Sequence, residues 1–351
     1  MAVLQQPTEE GTEVRKLKLK LVAMAALTAL ALTACGGGSA GSKASGEPAK
    51  TINVGYVQLP IFAPLFVAES KGYFKEQGLT VNLQVVKSGE DAIPLASSGK
   101  LDAVFAGFSA GMFSAVHSGL DVKVVGSMGV AGGPEEEPPS ALIVSKKLMD
   151  SGEIKTLADL KGRKIGALGG AGATSAYYVS MALKTVNLTP KDVTFVQLGS
   201  PDIPTAIKNG GIDGAFVSAP FWNMAVKDGI AQKIWTTPKG TSGTGLLYGG
   251  KFTTSDDAQK FFDALVKASK DLQGQNRYSP ENLKIIGDAT KQTPEQVKSV
   301  PLYNWLPNLA PLPDQLADME KNWIAVGALK YSDPISSDKY VNTKFADKAA
   351  K

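Results

Sequence analysis

The sequence predicts an α/β protein built from two similar lobes with mostly parallel sheets and a ligand cleft between them. The first observation is an internal repeat: residues 91–105 align without gaps on residues 202–216, an offset of 111 positions, and the aspartates, a glycine and a phenylalanine recur. The second is that each copy alternates short apolar strands with helical segments, which is typical of parallel sheets with crossover helices. A length of 351 residues suits about two domains.

The strands and helices can be assigned in chain order in both copies. In the first copy, the pattern predicts strands at 52–57, 81–86 and 103–106, and helices at 62–76, at 91–98 and from 110. In the second copy, it predicts strands at 164–168, 193–198 and 214–217, and helices that begin near Ala173, Asp202 and Pro220. Gly72 lies inside the first long helix, where glycine disfavours the helical conformation.

The remainder of the chain, from about 245 to 345, is predicted to be mostly helical. Ser255 can cap a helix through Lys270 that carries an apolar stripe, and a further helix lies near 313–329. We expect these C-terminal helices to pack on the first lobe. The predicted organisation is a signal peptide at 1–34, a flexible linker at 35–50, the first lobe at 51–140, the second lobe at 141–243 and a return to the first lobe at 244–351.

The N-terminal segment has the pattern of a secretory signal peptide. Four basic residues between 15 and 20 precede the apolar run 21–32, which is shorter than the roughly 20 residues of a membrane-spanning helix. The residues Leu32-Thr33-Ala34-Cys35 resemble the lipobox of bacterial lipoproteins, which implies that Cys35 carries a lipid. The Gly- and Ser-rich linker then acts as a flexible tether. We therefore expect a protein that is lipid-anchored to the cell membrane on its extracytoplasmic face.

The composition excludes several kinds of site. The chain has one cysteine and one histidine, His117, so it cannot form a disulfide, a Cys/His zinc site or a Cys–His catalytic pair. The net charge of +4 is spread without basic blocks, which gives nucleic-acid binding no support. We expect a monomer without a metal or a cofactor.

Two motifs raise the question of catalysis. Residues 107–111 match the G-x-S-x-G nucleophile elbow around Ser109, but His117 lies on the same helix, about 12 Å further along its axis. The stretch 170–175 approaches a dinucleotide-binding fingerprint but lacks its third glycine. We therefore predict a binding protein without catalytic residues, and an enzyme acting on a small acid stays as an alternative.

The predicted ligand site is formed by loops at the carboxyl ends of the strands, where open α/β sheets bind ligands. Five loops lead from a strand into a helix there: 58–63, 87–90, 107–111, 169–175 and 218–222. The glycine-rich loop 169–175 is the strongest candidate, because its backbone can approach a ligand and two hydroxyls, Thr174 and Ser175, follow at a helix start. The same two hydroxyls would equally serve as helix caps.

The chemistry of the ligand is less defined by the sequence. No arginine lies in the five loops, so a carboxylate held by a bidentate arginine is not expected, whereas backbone and hydroxyl donors suit an oxyanion. Four aromatic residues near helix starts would either form a wall for an organic ligand or pack in the core: Phe62, Phe108, Phe221 and Trp222.

Three segments resemble one family of transport proteins. Residues 68–81, 99–102 and 157–166 are similar to the periplasmic-type solute-binding proteins of ABC importers for nitrate, alkanesulfonates and taurine. The resemblance implies a type II periplasmic-binding-protein fold, in which two lobes close on a small-molecule ligand, and the membrane permease subunits of the importer as partners. It implies ligand contacts at Gln58, Phe108, Ser109, Gly172, Thr174, Ser175, Ala219, Pro220 and Phe221, to which the predicted loops add Gly89, Ala173 and Trp222.

The expected function is that of an extracytoplasmic receptor for an ABC importer. Its ligand would be a small organic or inorganic anion similar to an alkanesulfonate, nitrate or taurine, captured by lobe closure. Many relatives have an acidic or polar residue where this chain has Ala219, so the identity of the ligand is not fixed by the resemblance. The alternative is a receptor for a heterocyclic vitamin precursor such as a pyrimidine, because pyrimidine-binding relatives share the fold.

The lipid anchor gives the first prediction. We expect the Cys35→Ser protein to appear in the soluble fraction of cells and to stay folded, because the linker is too polar to belong to a hydrophobic core. Cell fractionation and immunoblotting measure the distribution, and the unchanged chain is the control. Retention of the variant on membranes would contradict the lipoprotein hypothesis.

Overall fold

The computed structural model describes residues 50–133 and 138–350. The predicted signal peptide, Cys35 and nearly all of the predicted linker lie outside these ranges. The described residues form ten strands: β1 (Lys50–Tyr56), β2 (Leu79–Val85), β3 (Ala103–Gly107), β4 (Val122–Val130), β5 (Ser140–Ser145), β6 (Lys164–Ala167), β7 (Thr194–Gln197), β8 (Gly214–Ser218), β9 (Ala231–Trp235) and β10 (Ser242–Gly249).

Helices follow most of these strands. Within the same described ranges they are α1 (Ala63–Ser70), α2 (Tyr73–Glu76), α3 (Gly89–Ser97), α4 (Ala110–His117), α5 (Lys146–Asp150), α6 (Thr174–Lys184), α7 (Ile203–Lys208), α8 (Phe221–Lys227), α9 (Gly250–Thr253), α10 (Asp256–Asp271), α11 (Pro280–Thr290), α12 (Pro294–Lys298), α13 (Pro313–Ala325) and α14 (Lys344–Ala349). Not one of these helices has the length and apolar character needed to cross a membrane.

The strands form two five-stranded sheets, one in each lobe. The order is β2-β1-β3-β10-β4 in the first lobe and β7-β6-β8-β5-β9 in the second. In each sheet the strands of the internal repeat pair in parallel, and one reversed strand, β10 or β5, pairs antiparallel with both its neighbours. The predicted α/β fold with two mostly parallel lobes is therefore confirmed.

The chain passes between the two sheets twice. The first passage leads from β4 to β5, and the second leads from β9 to β10. These four strands were not predicted from the sequence, whereas the six strands of the repeat were. Each passage therefore leads directly into an antiparallel strand: β5 of the second lobe follows the first passage, and β10 of the first lobe follows the second.

The repeat has a structural basis in two equivalent aspartates. The Asp102 carboxylate accepts a hydrogen bond from the Asn53 backbone N–H at 2.8 Å, and the Asp213 carboxylate accepts one from the Lys164 N–H at the same distance. The backbone N–H of each aspartate donates in turn to the carbonyl of the same partner residue. In both lobes, an aspartate therefore fixes the last strand of the repeat against its first strand.

Glycines change two of the predicted helices: one is divided in two, and the other is shortened. The helix predicted at 62–76 is divided into α1 and α2 by Gly72, which has a φ of 74°. The helix predicted at 313–329 ends at Ala325, because Gly327 also has a φ of 74°. Glycine reaches this left-handed conformation without the steric cost that a side chain would add, so it ends the helix.

The C-terminal helices pack differently from one another. As predicted, Ser255 caps α10, and the apolar stripe of this helix lies in the core of the first lobe, where Phe261 stacks on Phe74 at 4.8 Å. Helix α13 was predicted to cover the first lobe, and it contacts the second lobe as well. Its Trp323 ring lies 5.7 Å from Phe113 of α4 and 6.4 Å from Tyr177 of α6.

The paired aspartates generate a stability prediction. We expect Asp102→Ala and Asp213→Ala each to lower the free energy of unfolding by about 1.5–3 kcal/mol, because each leaves a strand N–H without its charged acceptor. Urea unfolding followed by circular dichroism measures the change. Asp288→Ala, which removes an exposed carboxylate paired with Lys284, is the matched control and should change stability by less than about 0.5 kcal/mol. Equal effects of all three substitutions would contradict the assignment.

Candidate functional site

The loops that follow β3 and β6 meet between the lobes. Ser109 and Ala173 form an isolated antiparallel bridge. The Thr174 hydroxyl, at the start of α6, donates to the carbonyls of Phe108 at 2.7 Å and Gly243 at 3.0 Å. Gly243 lies in β10, immediately after the second passage of the chain. The loops after β3 and β6 therefore face one another, and the predicted residues Phe108 and Ser109 of the first lobe lie against Ala173 and Thr174 of the second.

Two predicted hydroxyls serve their own helix or loop. The Ser109 hydroxyl accepts a hydrogen bond from the Met112 N–H at 3.3 Å and caps α4. The Ser175 hydroxyl donates to the Leu168 carbonyl at 2.9 Å and closes the loop after β6. Of the three hydroxyls at the predicted helix starts, only that of Thr174 joins the two lobes.

The structure places His117 away from Ser109. The imidazole of His117 lies at the far end of α4, where it is exposed and stacks on the Tyr331 ring with the centroids 4.0 Å apart. His117 and Ser109 thus lie at opposite ends of α4, in agreement with the separation expected from the sequence. Within the described ranges, Ser109 therefore resembles a nucleophile only in its sequence motif.

Gln58 and Gly89 take different positions around the first lobe. The Gln58 side-chain amide donates to the Ala289 carbonyl at 2.7 Å, which ties the loop after β1 to α11. Gly89 begins α3, and a Cβ atom built there would lie 2.9 Å from the Cβ atom of Ala106 in β3. Glycine is therefore required for the close approach of this loop to the strand.

Of the two alternatives for the four aromatic residues, core packing describes three of them. Phe62, Phe108 and Trp222 are at most 4% exposed and belong to the hydrophobic cores, whereas Phe221 is half-buried. The indole N–H of Trp222 donates to the Pro138 carbonyl at 3.1 Å, so its polar atom is satisfied inside the second lobe. Because burial of an apolar ring is favourable, these side chains pack instead of lining the cleft.

The remaining predicted residues border these elements. Gly172 lies close to the first lobe, since a Cβ atom there would be 3.2 Å from the Cβ atom of Ala110. The Ala219 N–H donates to the Pro139 carbonyl at 2.9 Å, and Pro220 directly precedes α8. The loop after β8 is thus held against the segment that leads into β5.

Sequence reasoning missed Tyr303, which joins the lobes through its hydroxyl. This hydroxyl donates to the Ser140 hydroxyl at 3.2 Å and also hydrogen-bonds Ser218, and these two serines are paired across β5 and β8. The Arg277 guanidinium holds the Tyr303 carbonyl at 2.8 Å. Tyr303 lies in an irregular segment of the C-terminal region, so no rule based on strand ends would select it.

A second tyrosine, Tyr178 of α6, lies in the same region. The Tyr178 hydroxyl lies close to Gly243, since a Cβ atom built there would be 2.5 Å from it. The centroid of the Tyr178 ring is 4.9 Å from that of the Phe216 ring. Burial raises the pKa of both Tyr178 and Tyr303 above the usual value for tyrosine. Both hydroxyls therefore remain protonated at neutral pH and can donate hydrogen bonds.

Exposed apolar side chains surround the strand ends. Four large ones are about half exposed or more: Leu59 (46%) in the loop between β1 and α1, Val85 (60%) at the end of β2, Leu168 (53%) directly after β6 and Met224 (50%) in the first turn of α8. Exposed apolar side chains at the carboxyl ends of strands are available for contact with a ligand or a partner.

Both arginines of the described residues are bound to other groups of the protein. The Arg163 guanidinium pairs with Glu153 at 3.4 Å, and that of Arg277 is bound to the carbonyls of Gly274 and Tyr303. Within residues 50–133 and 138–350, no group of three or more His, Cys, Asp or Glu side chains is arranged to hold a metal ion.

Comparison with known proteins gives a consistent assignment. The NMT1/THI5-like family model matches residues 60–275. The 4-amino-5-hydroxymethyl-2-methylpyrimidine phosphate synthase of Aspergillus parasiticus is 34% identical over 156 residues, which are 44% of this chain and 41% of that protein. The chain therefore spans about two fifths of the length of the curated relatives of this name that it matches.

Solved structures share the fold at low sequence identity. The nitrate-binding protein NrtA from Synechocystis PCC 6803 has a TM-score of 0.65 at 16% identity, with 86% of this chain and 88% of that chain covered. The alkanesulfonate-binding protein SsuA from Xanthomonas axonopodis pv. citri, bound to MOPS, has a TM-score of 0.59 at 19% identity, with 86% and 98% covered. The predicted resemblance to nitrate- and sulfonate-binding proteins is confirmed, and the chain belongs to the NMT1/THI5-like family.

Proposed function

We propose that the protein is a receptor that captures a small molecule between its two lobes and delivers it to an ABC importer. The observation that carries the proposal is the meeting of the carboxyl-end loops of both sheets, where Thr174 of the second lobe binds the Phe108 and Gly243 carbonyls of the first. A ligand in this position would contact both lobes and would stabilise their closed arrangement through its higher affinity for that state.

The surroundings of the cleft support an organic ligand over nitrate. The hydroxyls of Tyr178 and Tyr303 are neutral donors, and the apolar rim formed by Leu59, Val85, Leu168 and Met224 suits the hydrocarbon part of a ligand. Two ligand classes fit this description: an organosulfonate, held at its oxyanion by hydroxyl and backbone donors, and a neutral heterocycle. The name of the Aspergillus relative suggests that the heterocycle, if that class is correct, is a pyrimidine.

The location and partners follow from the same proposal. A receptor of this kind works outside the cytoplasm together with the permease subunits of its importer. The lipobox-like sequence that ends at Cys35 supports attachment to the membrane through a lipid. The isolated position of Ser109, far from His117, argues against hydrolysis.

Ligand capture by closure is tested on the purified chain. We expect one member of a panel of nitrate, MOPS, taurine and 4-amino-5-hydroxymethyl-2-methylpyrimidine to raise the melting temperature and to lower the radius of gyration measured by small-angle X-ray scattering. At 100 times the Kd, binding to the folded state alone adds about 2.7 kcal/mol of stability. Sulfate at equal ionic strength is the control. A stabilising compound that leaves the scattering unchanged would contradict closure, and no response to any compound would contradict the ligand classes.

Ser109 separates the receptor from a hydrolase. We expect Ser109→Ala to lower the free energy of unfolding by about 1 kcal/mol through loss of the α4 cap, whereas Ser109→Thr retains most of it. Ser118→Ala, which removes an exposed hydroxyl at the other end of α4, is the control and should have a smaller effect. A fluorophosphonate probe is expected to leave Ser109 unlabelled in the unchanged protein, and labelling detected by mass spectrometry would overturn the receptor proposal.

A further inference from the structure

Helix α13 is fixed to the first lobe at its start. The Gln315 side chain accepts a hydrogen bond from the Ser242 N–H at 3.0 Å and donates to the Ser242 carbonyl, at the beginning of β10. Near the other end of α13, the fully buried Trp323 ring packs on Phe113 of α4. Both contacts attach α13 to the first lobe, although Trp323 also contacts Tyr177 of the second.

The segment after α13 strengthens this attachment. The fully buried Glu320 carboxylate accepts hydrogen bonds from the Ile335 N–H at 2.8 Å and from the Tyr331 hydroxyl at 2.9 Å. Further along, the Val124 N–H in β4 donates to the Tyr340 carbonyl at 2.7 Å. The chain therefore returns from α13 directly onto the first-lobe sheet, which leaves α13 little freedom to move independently of it.

Helix α6 of the second lobe is held against α13 by a hydrogen bond and by the Tyr177 ring, whose centroid is 6.4 Å from that of Trp323. The Tyr177 hydroxyl donates to the Asp318 carboxylate at 2.9 Å; the Tyr177 side chain is only 2% exposed, whereas that of Asp318 is 49% exposed. Burial and the nearby Asp318 charge both raise the pKa of Tyr177, so the hydroxyl keeps its proton. The Lys184 ammonium is 3.9 Å from Asp318 and 80% exposed, so it contributes little.

The same helix carries a contact of the cleft. Thr174, one turn before Tyr177, binds the Phe108 and Gly243 carbonyls on the cleft side. Any rotation of the second lobe that separates these groups must carry α6 with it and change its position on α13. The Tyr177–Asp318 hydrogen bond therefore exists at full strength in only part of the range of lobe orientations.

We propose that Tyr177 and Asp318 form a latch that sets the balance between contacting and separated lobes without touching the ligand. Both are positioning residues. The latch itself does not depend on the proposed function; only its effect on ligand affinity rests on that proposal. When the bond is lost, the contacting arrangement becomes less populated, and the apparent affinity of a ligand that needs this arrangement falls by the same factor.

The latch is tested on the full chain without any ligand. In a Cys35→Ser background, dyes on Lys75→Cys in the first lobe and Lys191→Cys in the second report the distance between the lobes by single-molecule fluorescence energy transfer. We expect Tyr177→Phe, which keeps the ring but cannot donate, to shift the ratio of contacting to separated lobes by roughly two- to tenfold towards separation. Asp318→Ala should reproduce this shift.

Two matched variants separate the latch from general destabilisation. Asp318→Asn retains an acceptor for the Tyr177 hydroxyl and should restore most of the original ratio, and Lys184→Gln should leave the ratio unchanged. Thermal unfolding of each variant is measured in parallel. A lower melting temperature with an unchanged distance distribution would overturn the proposal, because it would mean a purely structural role. Failure of every compound in the ligand panel, together with a shifted distribution, would instead count against the receptor function and leave the latch standing.

Discussion

The contact on which the arrangement of the lobes depends is the donation by Thr174 to two backbone carbonyls. The carbonyls of Phe108 and Gly243 lie where the loops of the two lobes meet, and the Gly243 carbonyl also accepts a hydrogen bond from the Phe108 N–H at 2.9 Å within the first lobe. The Thr174 hydroxyl, which shares its proton between these two carbonyls, adds a bond from the second lobe. The start of α6 is therefore attached to the first lobe.

A strand could be predicted from the sequence where its own residues form a short apolar run, and not otherwise. The six repeat strands are short apolar runs, and the turn before the last one carries Asp102 or Asp213, whose role is local in both lobes. Strand β10 lacks such a pattern because half of its residues are Gly243, Gly245 and Gly249 and the polar Ser242. A Cβ atom on these glycines would lie 2.0–2.4 Å from Thr174, Phe108 and Ala96, so the composition of β10 is imposed by packing that the sequence does not display.

The candidate site was predicted in its location more than in its chemistry. The rule that ligands bind at the carboxyl ends of strands selected five loops, and two of them, after β3 and β6, meet. It could not separate a hydroxyl that caps its own helix, as Ser109 does, from one that crosses to the other lobe, as Thr174 does. Tyr303 was missed for a related reason: it is distant in sequence from Ser140 and Ser218, and it reaches these two serines only in the folded protein.

The hydrophobic packing limits how the lobes can separate. One cluster of buried residues contains Phe113 and Val124 of the first lobe together with Leu142 and Tyr177 of the second, with Trp323 of α13 between them. Exposure of such a cluster costs about 25 cal/mol for each Å² of apolar surface, so a full separation of the lobes would be expensive. A rotation in which α6 shifts on α13 while most of this cluster stays packed would cost less than full separation. Thr174 and Tyr177 lie one turn apart on α6, so such a rotation would change the hydrogen bonds of both residues.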